Sequence, residues 1–167
     1  MNTMNTLTQQ RLKELLSYDS ETGVFTWKMR RSGQRRPGAI AGCINGLSYR
    51  CIRIDRRLHL AHRLAWLYAH GSFPAVELDH INGNPSDNRL ANLREATHAQ
   101  NMANGKTKRT GLKGVYWDKR YKKWYARIKK DGKSISRGPF DTEKEAGEAR
   151  WKLAQGLHGE FARKARR

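Results

Sequence analysis

The chain has 167 residues, room for one ordinary domain or two to three very small ones, since independent cores become marginal well below about a hundred residues. Its 34 Lys and Arg against 15 Asp and Glu give a formal charge of +19, more than solubility favours, and imply a polyanionic partner. Nucleic acid is the first reading, with the ribosome and an anionic membrane surface competing. No stretch approaches the roughly 18 consecutive apolar residues of a bilayer span, and the opening MNTMNTLTQQ lacks the apolar run of a signal peptide. An intracellular protein with no membrane partner is expected. Cys43 and Cys51 cannot build a disulfide framework or a four-cysteine zinc site, and read as small buried residues on neighbouring strands.

In chain order, TQQRLKELLSY sets Leu12, Leu15 and Leu16 at helical spacing behind Thr8 as a cap, predicting a short helix that ends near DSETG. The short apolar or alternating runs VFTWKM, AIAGCI, YRCIRID and RLHLA, split by RRSGQRRPG, NG and DRR, predict a small antiparallel sheet. From Ala61, AHRLAWLYAHG returns to helical spacing through Leu64, Trp66, Leu67 and Tyr68 until Gly71 and Pro74 stop it. Residues 76–104 read as a strand (VELDHI), a polar turn-rich loop (NGNPSDNR) and a helix starting near Thr97.

GKTKRTG is basic and has no apolar period, so it reads as a linker over 106–111. Then GVYWD, KWYARIKK and KSISRGPF predict three strands, separated by KRYKK and the Asp131-Gly132 hairpin signal. In the helix that follows, Thr142 and Glu145 suit a capping box, and Ala146, Ala149, Leu153 and Leu157 form one apolar stripe. The expected division is thus 1–55 for an N-terminal helix and small sheet, 56–105 for the strand, loop and helix, the linker, and 112–165 for three strands and a helix. Residues 106–167 carry a net +13 against +6 for residues 1–105, so the charge is concentrated in the last of these.

The chemistry-bearing segment is ELDHINGNPSDNRLANLREATHAQN, with Asp79 and His80 adjacent and asparagines at 82, 84, 88, 92 and 101. A carboxylate and an amide oxygen, from Asp79 and Asn101, suit a hard divalent cation such as Mg2+. A neutral His80 suits proton removal from water attacking phosphorus. Neighbours on a regular strand point to opposite faces, so the pair is expected at a distorted strand end before Gly83 and Pro85. Without further information the same residues read equally well as an Asp-His turn, with asparagines supplying Asx-turn hydrogen bonds.

The string LDHINGNPSDNRLANLREATHAQN, with DHINGN, DNR, ANLR and a closing Asn in order, resembles the HNH homing endonucleases of phages and mobile introns, in the subgroup that ends on Asn. The preceding HRLAWLYAHG, and GVFTWKM with the strands after it, are similar to the segments leading into that motif. The resemblance implies a ββα-metal fold with Asp79 and Asn101 as metal ligands and His80 as general base. Asn92 would pin the loop and orient the base. His98, one turn before Asn101, is expected on the DNA backbone or the surface, and Asn88 and Arg89 are expected to shape the loop.

In the last region KWYARIKK alternates Trp124, Ala126 and Ile128 with Tyr125, Arg127 and Lys129, giving one apolar and one basic face. A sheet face bearing Tyr125, Arg127 and Lys129, with Lys113 and Tyr116, suits DNA; a solvated basic face is the alternative. The opening GV, the KW strand, GPFDTEKEA and the closing HGEFA resemble the DNA-binding domain of plant APETALA-type ethylene-response factors. That resemblance implies that the sheet reads DNA through Lys113, Tyr116, Arg127 and Lys129. The usual arginines of its first strand are replaced by Tyr116 and Asp118.

The expectation is therefore an α+β chain: a helix-plus-sheet region, a ββα-metal HNH unit, and a three-stranded antiparallel sheet packed on one helix. The resemblances imply a nicking, homing-type endonuclease that uses Mg2+, or Mn2+, on double-stranded DNA. It would act as a monomer or weak dimer in the cytoplasm or nucleoid of a bacterial or phage-infected host. A non-catalytic DNA-binding regulator on an HNH scaffold is the main alternative, and an RNA- or ribosome-binding protein a third.

Overall fold

The computed structural model describes residues 7–29, 36–104, 112–130 and 132–162. The chain is α+β and divides into two compact units, Met1–Ala96 and Thr97–Arg167. Among the described residues no helix is long and apolar enough to cross a membrane. The linker expected at 106–111 lies outside the described residues, as does Asp131 of the expected Asp-Gly turn.

In the first unit, α1 (Gln9–Leu15) starts at Thr8, whose hydroxyl accepts from the Arg11 amide at 3.2 Å. The helix was expected to run through Leu16; it stops at Leu15, and Leu16–Asp19 forms β1, paired antiparallel with β2 (Val24–Trp27). The register Leu16↔Trp27 explains the stop, because both side chains enter the core as a cross-strand pair. The single expected sheet is two. β3 (Cys43–Ile44), β4 (Arg50–Ile54) and β5 (Arg57–Leu60) form a second sheet in that order, and an isolated bridge joins Thr26 to Ile40. Cys43 and Cys51 are register partners on β3 and β4 and both are free thiols. Cys51 is buried as expected, but Cys43 is exposed because β3 is an edge strand with neither residue covered.

Next, α2 (Ala61–His70) buries Leu64 and Leu67 and ends on Gly71 in the left-handed region. One core draws on all of these elements: Leu12 and Leu16, Phe25 and Trp27, Ile52 and Ile54, Leu64 and Leu67, and Leu93 from further along. Residues on both sides of position 55 therefore share a single interior. Beyond α2, β6 (Glu77–His80) pairs antiparallel with β7 (Leu93–Ala96), and the loop between them closes with a 3-10 turn at Leu90–Asn92.

The second unit opens with α3 (His98–Asn104), close to the expected start. Thr97 and Gln100 cap it reciprocally: the Thr97 amide donates to Gln100 Oε1 at 2.8 Å and the Gln100 amide to Thr97 Oγ1 at 3.3 Å. β8 (Val115–Asp118), β9 (Lys123–Lys130) and β10 (Lys133–Phe140) make an antiparallel sheet with β9 central, and α4 (Glu143–His158) packs on it. The capping box of Thr142 and Glu145 is present. Ala126 and Ile128 of β9, Ala146 and Ala154 of α4, and Phe161 beyond it are the buried apolar residues described in this unit, three of them alanines.

Candidate active site and nucleic-acid face

Asp79 and His80 are the last two residues of β6, and both are buried. They were expected at a distorted strand end; instead both keep regular register, Asp79↔Arg94 and His80↔Leu93, because the departure from pairing comes only after Ile81, whose amide still donates to the Asn92 carbonyl at 2.9 Å. Regular pairing sends the two side chains to different neighbours. Arg94 donates from Nε (3.0 Å) and Nη2 (2.9 Å) to Asp79 Oδ2. The His80 ring lies edge-on to His62 of α2 at 5.0 Å between centroids, with Tyr49 at 6.0 Å and its Nε2 3.4 Å from Asn88 Oδ1.

Burial pushes the pKa of His80 below the ordinary histidine range, opposed by the Asn88 hydrogen bond and by Asp79 and Asp87. Its imidazole is therefore neutral near pH 7, the form that can accept a proton. His62 is pushed down to about 3, by burial first, then by His80 and Arg63. The Nδ1 atom of His62 is buried and has no hydrogen-bond partner among the described residues.

The 81–92 loop is held by its own polar groups. Asn82 and Asn84 accept from the amides of Asn84 and Ser86, which are the Asx-turn bonds anticipated for a polar loop. Asp87 is clamped by Arg89 (2.8 and 2.7 Å) and by Asn82 Nδ2 (2.7 Å); the Arg89 hydrogen bonds lead in lowering its pKa to about 2. Asn92 ties the loop ends together: Oδ1 accepts from the Asn82 amide at 3.0 Å and Nδ2 donates to the Asp87 carbonyl at 2.8 Å. The side-chain amide beside the His80 ring is that of Asn88, a residue expected only to shape the loop.

Asp79, His80 and Asn92 thus lie in the first unit, whereas Asn101 lies on α3 in the second, its amide donating to the Thr97 carbonyl at 3.0 Å. His98 opens α3 and is exposed. Among the described residues there is no cluster of three or more His, Cys, Asp and Glu that could hold a metal ion. A single carboxylate with an amide oxygen still matches the donor chemistry of a hard cation such as Mg2+, which keeps several waters. Arg94 and His62 were not singled out from the sequence. Arg94 becomes visible only once the β6–β7 register is known, and His62 only when the first turn of α2 is set against β6.

In the second unit, β9 turns Ala126 and Ile128 toward α4 and Tyr125, Arg127 and Lys129 away from it. Tyr116 of β8 stacks on its register partner Tyr125, with centroids 5.8 Å apart and rings inclined by 20°. The Arg127 guanidinium sits 4.8 Å from the Tyr116 ring centroid and donates to Tyr116 Oη at 3.2 Å. Gly138 makes room for this pair, since a Cβ there would come within 2.6 Å of the Tyr125 ring. Lys129 is exposed. Lys113 is half-buried, with Nζ donating to the carbonyls of Met102 (2.8 Å) and Ala103 (3.1 Å) near the end of α3; burial, then Arg150, lowers its pKa.

Residues 59–103, from β5 through most of α3, match the family model described as HNH endonuclease. Protein 3.8 of Escherichia phage T7 is 34% identical over 108 residues, covering 61% of this chain and 87% of that protein. The chain belongs to the HNH endonuclease family. A solved structure of DNA binding and cleavage by the HNH homing endonuclease I-HmuI shares 21% identity at a TM-score of 0.39, covering 87% of this chain and 85% of that one.

Proposed function

We propose that the protein is a metal-dependent DNA endonuclease of the nicking, homing type. The observation that carries this reading is the buried, neutral His80 beside Asp79 inside the segment that matches the HNH endonuclease family. In it His80 is the general base, taking a proton from the water that attacks phosphorus. Asp79 and Asn101 would hold a divalent cation, Mg2+ first and Mn2+ second; when bound, such an ion supplies positive charge for the phosphoryl and departing oxygens. Asn92 keeps the loop after β6 closed through its two amide bonds.

The second unit binds double-stranded DNA in the manner of the APETALA-type ethylene-response-factor domain. Tyr116, Arg127 and Lys129 on the outer sheet face contact the duplex, and the +13 of residues 106–167 supplies most of the electrostatic attraction. Lys113 contributes its charge from the sheet margin. HNH chemistry is assigned to residues 56–105 and DNA reading to 112–165. One site per chain makes a monomer a nicking enzyme, with a weak dimer needed for double-strand cleavage, acting inside a bacterial or phage-infected cell.

Supercoiled plasmid incubated with the protein and Mg2+, Mn2+ or Zn2+ tests this. Metal-dependent conversion to the nicked circle, lost in His80→Ala, is the expected result. The Asp79–Arg94 ion pair favours a second reading, a non-catalytic DNA-binding regulator on an HNH scaffold, because the carboxylate is already neutralised. Under that reading Asp79→Ala and His80→Ala leave DNA binding intact and wild-type protein does not nick.

A further inference from the structure

Asn88 is more tightly enclosed than loop-shaping requires. It is 1% exposed, and its amide ends are not interchangeable, because Nδ2 donates to the Ser86 carbonyl at 3.2 Å. Its oxygen is therefore the end that faces His80 Nε2 at 3.4 Å. An amide oxygen only accepts, so the ring nitrogen opposite it must carry hydrogen. A neutral imidazole has one N–H, which leaves the lone pair on Nδ1.

The backbone of Asn88 is held from the N-terminal hairpin. Tyr18 Oη of β1 donates to the Asn88 carbonyl at 2.8 Å, and burial, pushing the Tyr18 pKa up to about 12, keeps that hydroxyl protonated. Gly23, at φ +72°, lies so close that a Cβ would fall 2.5 Å from the Asn88 carbonyl carbon and 2.4 Å from the Arg89 nitrogen. The β1–β2 turn thus meets the loop backbone to backbone. Asn92, to which the family resemblance gives the orienting role, spends its amide on Asn82 and Asp87 instead.

We propose that Asn88 is the positioning residue for His80: it holds the imidazole as the Nε2–H tautomer and so makes Nδ1 the nitrogen that receives the proton from water. The second half rests on the nuclease reading; the tautomer does not. In the reaction an Nδ1–H bond forms as a water O–H bond breaks, and the water oxygen bonds to phosphorus. The P–O bond to the departing 3′ oxygen breaks with its electron pair on that oxygen, which takes a proton from solvent. The β1–β2 hairpin then bears on the cleavage apparatus through the backbone of Asn88 and Arg89.

The full chain, labelled with 15N, reports the His80 tautomer in long-range 1H–15N correlations assigned by difference with His80→Gln. Wild type is expected to show protonated Nε2 and bare Nδ1. Asn88→Asp, which keeps an acceptor, retains that pattern, while Asn88→Leu gives exchange between tautomers. Asn88→Leu is also expected to lower kcat for plasmid nicking roughly 10- to 100-fold with KM within about twofold, and Asn88→Asp to restore most of it. Should the leucine variant fail to fold, Asn88→Ser, too short to reach Nε2, makes the same comparison. A wild-type Nδ1–H tautomer, or an unchanged tautomer and kcat in the folded leucine or serine variant, overturns the proposal. A fixed Nε2–H tautomer in a wild type that does not nick removes the nuclease reading and leaves the positioning role of Asn88 supported.

Discussion

Arg94 places two guanidinium nitrogens, at 3.0 and 2.9 Å, on one oxygen of Asp79, its register partner across the β6–β7 ladder. The Asp79 side chain is 4% exposed and that of Arg94 14%, so the pair is shielded from water, and removing one partner strips a buried carboxylate of its counter-charge. Arg94→Met is expected to cost about 3 kcal/mol in urea denaturation. If Asp79 also ligates a cation, millimolar Mg2+ or Mn2+ returns part of that loss by binding the folded state alone. No metal effect on the stability of the variant counts against Asp79 as a ligand.

Stability is expected to fall on acidification through the two buried histidines. Burial holds the folded pKa of His62 at about 3, well below the ordinary histidine value of about 6.5, and lowers that of His80 in the same direction. The unfolded chain therefore binds protons that the folded chain refuses, so their contribution is complete above about pH 6.5 and is lost as pH falls toward the folded values. Near the middle of that window His62 contributes a slope on the order of 1 kcal/mol per pH unit. His62→Phe, which leaves no titrating group at the orphaned Nδ1 position, is expected to show a shallower fall in unfolding free energy between about pH 6 and about pH 4. An unchanged slope contradicts the burial argument.

Under the proposed function, the cations on the outer sheet face of the second unit are expected to contribute to DNA binding in different ways. Lys129→Ala removes one exposed cation and is expected to reduce the slope of log affinity against log salt by about 1, uniformly across sequences. Arg127→Ala removes a guanidinium oriented by the Tyr116 ring and hydroxyl and is expected to weaken binding and blur sequence preference. Tyr116→Phe keeps the ring and is expected to fall between wild type and Arg127→Ala. Fluorescence anisotropy of a labelled duplex over a salt series distinguishes these outcomes.

Gly23→Ala is expected to destabilise the first unit by more than about 1 kcal/mol, since it combines a positive φ with a backbone collision at Arg89. Thermal unfolding checks this. Residual folded protein is also expected to nick more slowly than wild type, because the turn bears on Asn88.

What the sequence disclosed was what depends on neighbours in the chain. The caps at Thr8, Thr97 and Thr142, the stop at Gly71 and the apolar spacing of Leu64 and Leu67 are local, and each element begins or ends where its residues indicate. The end of α1 is not local: Leu16 leaves the helix because Trp27 is available across β2. β7 was hidden beside a helix signal, since LREA carries no strand period until it is paired with ELDH. The exposure of Cys43 follows from the edge position of β3, which spacing does not encode. At the site, adjacency brought out Asp79 and His80, and the family pattern drew in Asn92 and Asn101. Which amide reaches the His80 ring depends on how Tyr18 and Gly23 press on a loop some seventy positions away, as the Tyr18–Asn88 bond records.

The most direct test of the central claim is the nicking of supercoiled plasmid by wild type, His80→Ala and Asp79→Ala, each first shown to be folded by its thermal transition. The nuclease account predicts divalent-metal-dependent nicking by wild type and a loss of roughly 100-fold or more in His80→Ala with DNA affinity retained. Plasmid left intact by wild type in Mg2+, Mn2+ and Zn2+ alike, or equal nicking by His80→Ala, contradicts it.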